Sequence, residues 1–233
     1  MCISFQLVTP TPDIVEKYNS FRKKDNNDWS VSLFQNCPEI DIRDYIVERD
    51  EDGSYESPYG KYSKDDEVIA EYYNKGNIPC FLKELNKKYH TRLNTECLFG
   101  LNKEWFISHN VDDLVDYYYR NSKKGKKTPY SFCSKVYSFV NEKENPIMDS
   151  YVSTLLWEYM SSEYKKKHSK SDWGSYAEYK TAYGLFKEKY GLTDYSYKQL
   201  DVFLWTYSVA IQNYWKKLGV IEFDSVSYKK QDR

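Results

Sequence analysis

Lys135 and Asp149 are the two residues of this 233-residue chain whose types and placement could do covalent chemistry together. An amine that has lost its proton is a nucleophile toward an electron-poor carbon, and a nearby carboxylate can steady the positive charge that develops there. The lysine falls within the run PYSFCSKVYSFV, flanked by Phe132 three positions before and Phe139 four positions after. Packing against rings strips water from an ammonium and lowers its pKa. A snorkelling lysine, with its stem on apolar surface and its head in water, explains the same pattern. The aspartate stands three residues after Pro146, at the mouth of the next helical stretch, where backbone N–H groups orient a carboxylate. A plain helix cap also accounts for it. Just upstream lies the basic run Arg120, Lys123, Lys124, Lys126 and Lys127, broken by the single glycine Gly125. Such a loop suits a phosphate backbone, or it is a solvated loop whose lysines complement the end of the preceding helix.

The elements that must hold these residues read as helices. Pro12 opens a helix with Val15, Tyr18 and Phe21 on one side. Residues 25–62 are irregular, with a short strand expected near Ile42–Val47, and Ser63 precedes a helix closed by Gly76. Asn110 caps VDDLVDYYYRN, with Asp112 and Asp113 in the first turn. Ser122–Thr128 breaks that helix, Pro129 restarts it, and Asn145-Pro146 stops it. From Asp149 one helix is expected through residue 168, with Val152, Leu155, Leu156, Tyr159 and Met160 as its apolar stripe. Ser175 with Glu178 and Ser196 with Gln199 form capping boxes. The final helix buries Leu200, Phe203, Leu204, Tyr207, Ile211 and Trp215 and ends at Gly219, and Lys229-Lys230 belongs to a frayed tail. The expected fold is mainly α: a single helical domain over 1–233 with an irregular N-terminal segment, divided into lobes of residues 1–104 and 105–233.

Bulk properties narrow the setting. Aromatic residues at 18% exclude a disordered chain. The net charge of −1 conceals 16 acidic against 9 basic residues before position 76 and 19 against 25 after it. Five cysteines (Cys2, Cys37, Cys80, Cys97, Cys133) with no CxxC pair argue against a disulfide framework or structural zinc. No apolar run reaches the roughly 20 residues of a membrane span. With no signal-peptide pattern in MCISFQLV, the expectation is a cytoplasmic protein without a membrane partner. Cys2 invites comparison with N-terminal nucleophile hydrolases, but Cys-Ile-Ser before helices does not fit that class. Phosphate-loop, HExxH, GxSxG and kinase signatures are missing from the sequence.

The order of helix, basic loop, short helix with a lysine, turn, and aspartate-led helix resembles the helix-hairpin-helix DNA glycosylases, specifically the bifunctional 8-oxoguanine enzymes. SKVYSFV followed by NPIMDSYV carries the likeness, and TDYSYKQLDVFLW looks similar to a divergent bacterial 8-oxoguanine glycosylase-like branch. The resemblance implies a two-lobed helical bundle acting on duplex DNA with a flipped base, without metal or cofactor. It implies that Lys135 is the nucleophile, Asp149 the second catalytic group, and Arg120, Lys123, Lys124, Lys126 and Lys127 the phosphate grip. Tyr130, Phe132, Tyr151 and Trp157 are candidates for the base pocket, or ordinary core aromatics. The reaction implied is excision of a damaged or modified purine, with strand cleavage through an imine as a possible second step. The competing class is a non-enzymatic helical DNA- or protein-binding module on a glycosylase-like scaffold, serving for instance in phage–host conflict.

Overall fold

A computed structural model describes residues 2–4, 6–20, 31–42, 45, 60–89, 91, 93–122, 129–169, 173, 175–223 and 227–230. The chain is mainly helical, as its periodicity predicts. In chain order the elements are β1 (Cys2–Ser4), α1 (Pro12–Ser20), β2 (Ser32–Phe34), β3 (Cys37–Asp41), α2 (Gly60–Asn74), α3 (Ile78–Lys88) and a 3-10 turn (Glu96–Leu98). There follow α4 (Lys103–Ser108), α5 (Val111–Asn121), α6 (Tyr130–Val140), α7 (Ser150–Tyr159), α8 (Ser162–Lys167), α9 (Tyr176–Lys189), α10 (Tyr197–Lys217), β4 (Val220–Phe223) and β5 (Ser227–Lys230).

The 21-residue helix α10 is the spine. Its capping box is complete, with Ser196 accepting from Gln199 N–H and the Gln199 side chain accepting from Ser196 N–H. Leu200, Phe203, Leu204, Tyr207, Ile211 and Trp215 are buried as the stripe predicts, and Val202, Thr206 and Ala210 are buried as well, so neighbours cover more than one face. Its heaviest packing is against α7 and α1. Tyr207 ties in the N-terminal segment, its hydroxyl accepting from Val8 N–H at 3.0 Å, and the Tyr159 hydroxyl donates to Val8 O at 2.9 Å. The buried side chains from Val8 to Trp215 form one continuous cluster.

Several boundaries differ from the expectation. The helix predicted from Asp149 through 168 is two: Met160 is extended, and the Ser161 hydroxyl caps α8 by accepting from Tyr164 N–H. A second cap thus restarts a helix inside one apolar stripe. α6 ends at Val140 rather than at Asn145-Pro146, because the Asn145 side chain donates to Tyr137 O and Asn141 O and closes a turn there. α2 starts at Gly60, ahead of Ser63. A hairpin, β2–β3, with Phe34 opposite Cys37, lies upstream of the strand expected near Ile42–Val47. Residues 43, 44, 46 and 47 of that expected strand lie outside the described residues, as does Phe21 of the first apolar stripe. The tail is not frayed at Lys229-Lys230. β5 pairs antiparallel with β1 and β4, placing Cys2 opposite Lys229, so the two ends of the described chain share a sheet.

Candidate active site

Helix α6 sorts its side chains by chemistry. Phe132, Cys133, Val136 and Tyr137 enter the core, while Ser131, Lys135, Ser138 and Phe139 line a cavity of about 1020 Å³. That volume is at the upper end of the roughly 300–1,000 Å³ usual for small-molecule sites. Lys135 is 9% exposed. Its Nζ donates to Ser131 Oγ, one turn earlier, at 3.1 Å and lies 4.7 Å from the centre of the Tyr89 ring. Burial pushes its pKa below the ordinary lysine value, against the pull of the Asp149 and Asp201 carboxylates. The predicted desolvation is present, but the ring beneath the amine is Tyr89, at the end of α3. Phe132 points into the core.

Asp149 reaches the same cavity along a clamped segment. Met148 N–H donates to Ser134 Oγ at 2.9 Å, Tyr176 donates to Pro146 O at 2.7 Å, and Tyr179 donates to Ile147 O at 2.9 Å. Residues 146–148 are therefore fixed to α6 on one side and α9 on the other. Asp149 is the cap of α7, with extended backbone (φ −121°, ψ 167°) and Oδ1 accepting from Val152 N–H at 2.9 Å. Burial pushes its pKa above the usual carboxylate range, opposed by the Val152 N–H, the Lys135 ammonium and the Tyr151 N–H. Both groups are thus moved toward their neutral forms, as expected when an amine and an acid share a poorly hydrated site.

The rest of the wall comes from distant elements that sequence reading did not connect to the pair. α2 contributes Asp66 and Glu67, α3 contributes Lys88, and α10 contributes Lys198, Asp201 and Trp205. Lys88 pairs with Asp66, and Lys198 lies 3.9 Å from Asp66 and 3.7 Å from Glu142. Asp201 and Trp205 are one turn apart, and that i, i+4 spacing on the 21-residue helix is the available signal.

Of the four aromatic candidates, Tyr151 lines the cavity, 37% exposed, with its ring 6.2 Å from that of Trp205. The other three are elsewhere. Phe132 is core at 1% exposure, and Tyr130 turns away to donate to Asp112 Oδ1 at 2.8 Å. Trp157 packs edge-on against Tyr164 and Trp173. Arg120 projects into solvent with Asp116 at 3.8 Å. Lys123, Lys124, Lys126 and Lys127 lie outside the described residues.

A second cavity of about 500 Å³ lies between α8 and α9, lined by Tyr164, His168, Trp173 and Leu185, and includes neither Lys135 nor Asp149. Among the described residues no group of three or more His, Cys, Asp or Glu side chains is placed to hold a metal ion, and no helix is long and apolar enough to cross a membrane. Neither a family model, nor a curated protein, nor a solved structure matches the chain.

Proposed function

We propose that this chain is a DNA glycosylase with an associated lyase step, excising a damaged or modified purine such as 8-oxoguanine through Lys135 and Asp149. The observation that carries the reading is the convergence of a buried amine and a capping carboxylate, fourteen positions apart, on one cavity large enough for a nucleotide. A target base must leave the stack, at a cost of a few kcal/mol, and be received on an aromatic surface. Tyr151 and Trp205 offer that surface beside the pair. The lowered pKa of Lys135 raises the fraction of neutral amine available to attack C1′ of the deoxyribose. Displacement of the base leaves the sugar bonded to the lysine nitrogen. Opening of the sugar ring then gives an imine, from which β-elimination breaks the strand. In this reading the Asp149 carboxylate, held by Val152 N–H on the wall of the same cavity, opposes positive charge growing on the sugar.

The test is base release and strand cleavage on a duplex with one 8-oxoguanine. Activity is expected from the wild-type chain, loss of strand cleavage in Lys135→Ala, and a drop of roughly 10²–10³-fold in Asp149→Asn. Base release that survives Lys135→Ala would assign a monofunctional enzyme acting through Asp149. No DNA binding at low salt would leave a helical binding module.

A further inference from the structure

The Lys135 amine is held from two sides by groups on different elements. Its Nζ donates to Ser131 Oγ at 3.1 Å, and the centre of the Tyr89 ring, at the end of α3, lies 4.7 Å from it. We infer that the Ser131 hydroxyl aims this amine, fixing its rotation against the Tyr89 ring so that the lone pair faces the cavity. The inference rests on the reading of Lys135 as a nucleophile.

The contact follows from helix geometry. Side chains lean toward the N-terminus of their helix, so a lysine passes over the residue four positions before it. On α6 that residue is Ser131, which lines the same cavity. A neutral amine has two N–H bonds and one lone pair in three staggered directions. One N–H is given to Ser131. The face of an aromatic ring carries negative charge, so it attracts the second N–H and repels the lone pair. The third direction is left to the lone pair, and the open side of this largely buried amine is the cavity that Lys135 lines. Without the hydroxyl the amine turns freely, and a carbon held in the cavity meets the lone pair only part of the time. The same serine also registers the acid. Its carbonyl accepts from Ser134 Oγ at 3.2 Å, and Ser134 Oγ accepts from Met148 N–H at 2.9 Å, one residue before Asp149. Ser131→Ala deletes the link to the amine and keeps the link to the acid. Ser131 acts through Lys135, so it is a positioning residue.

The experiment is the rate of cyanoborohydride trapping of the full chain on a duplex with a single abasic site, followed against pH. In Ser131→Ala the maximal rate should fall roughly 10-fold or more. The acid limb of the profile should also move to lower pH. An ammonium makes a stronger hydrogen bond than a neutral amine, so losing the acceptor favours the neutral form. The titratable groups facing the amine are the Asp149 and Asp201 carboxylates, the Tyr89 phenol and, over the same ring, Lys88 with its partner Asp66. Ser131→Ala alters none of them. Ser131→Thr keeps the hydroxyl and should trap at close to the wild-type rate, whereas Ser131→Val, of the same shape without it, should resemble Ser131→Ala. A Ser131→Ala rate within twofold of wild type overturns the inference, and so does a slower variant whose limb is unmoved or moves up, which marks a packing defect. A Ser131→Thr variant as slow as Ser131→Val also overturns it, and that pair decides the matter if Ser131→Ala does not fold. A Lys135-dependent adduct with any of those outcomes removes only the role of Ser131. Absence of any adduct in the wild-type chain removes the nucleophile as well.

Discussion

At neutral pH, burial makes both Lys135 and Asp149 costly to fold in their charged forms, and the pH dependence of each follows from the direction of its shift. Lys135 is held below the unfolded-chain value of about 10.4. Between its folded and unfolded pKa the unfolded chain binds the extra proton, so this contribution to stability rises with pH across that window. Asp149 is held above the unfolded value of about 3.9, so the folded chain binds the extra proton over its window, and stability is lost as pH rises through it. The double variant Lys135→Met/Asp149→Asn removes both charges and keeps a capping side chain. Denaturant unfolding at pH 7 should find it equal to or more stable than wild type, by up to about 4 kcal/mol, and inactive. Asp149 separates its two roles in the same way. Asn caps a helix as well as Asp, so Asp149→Asn should lose activity with little loss of stability, whereas Asp149→Ala should lose activity and about 1 kcal/mol. Equal destabilisation by the two would contradict the cap geometry.

Among the elements, the segment between α6 and α7 decides whether the pair meets. Tyr176, Tyr179 and Ser134 hold residues 146–148 through their carbonyls and one N–H, and α7 begins where that clamp ends. Tyr179→Phe leaves the Ile147 carbonyl without that hydroxyl in a buried setting, which costs about 1–3 kcal/mol. The melting temperature should fall by several degrees, and activity should fall further than that of an equally destabilised variant remote from the cavity. Matched losses in both variants would show that the clamp does not serve the site. Much of this element layer is legible in the sequence, because its signals are local. Pro129, the Asn110 cap and the stripe of α10 act within a few residues of themselves. The Ser161 cap was equally local, but it was hidden by an apolar stripe that runs unbroken through Met160. Tyr89 under the amine and Asp201 on the wall of the same cavity lie 46 and 66 positions from Lys135. Their approach is a product of helix packing, which no short window of sequence encodes.

Over the whole molecule, the proposed glycosylase function requires charge to be apportioned between holding DNA and reacting with it. The cavity wall carries Asp66, Glu67, Glu142, Asp149 and Asp201 beside Lys88, Lys135, Lys143 and Lys198, a balance that suits a sugar and base better than a string of phosphates. The proposed phosphate grip therefore stays with Arg120 and with Lys123, Lys124, Lys126 and Lys127, the four lysines outside the described residues. Replacing Lys123, Lys124, Lys126 and Lys127 with alanine should weaken DNA binding regardless of sequence. The slope of log affinity against log salt should shrink by about 0.9 for each phosphate that is no longer neutralised. Trapping on a short abasic duplex at saturating protein should be largely unchanged, and an unchanged salt slope would move the grip to another surface. The central claim is that the Lys135 amine is the nucleophile of a cavity built for a flipped nucleotide. It is tested most directly by reducing the chain with borohydride in the presence of an abasic or 8-oxoguanine duplex and mapping the adduct by peptide mass spectrometry. The sugar remnant is predicted on Lys135, with none formed by Lys135→Ala. An adduct on another lysine, or none at all, would contradict it.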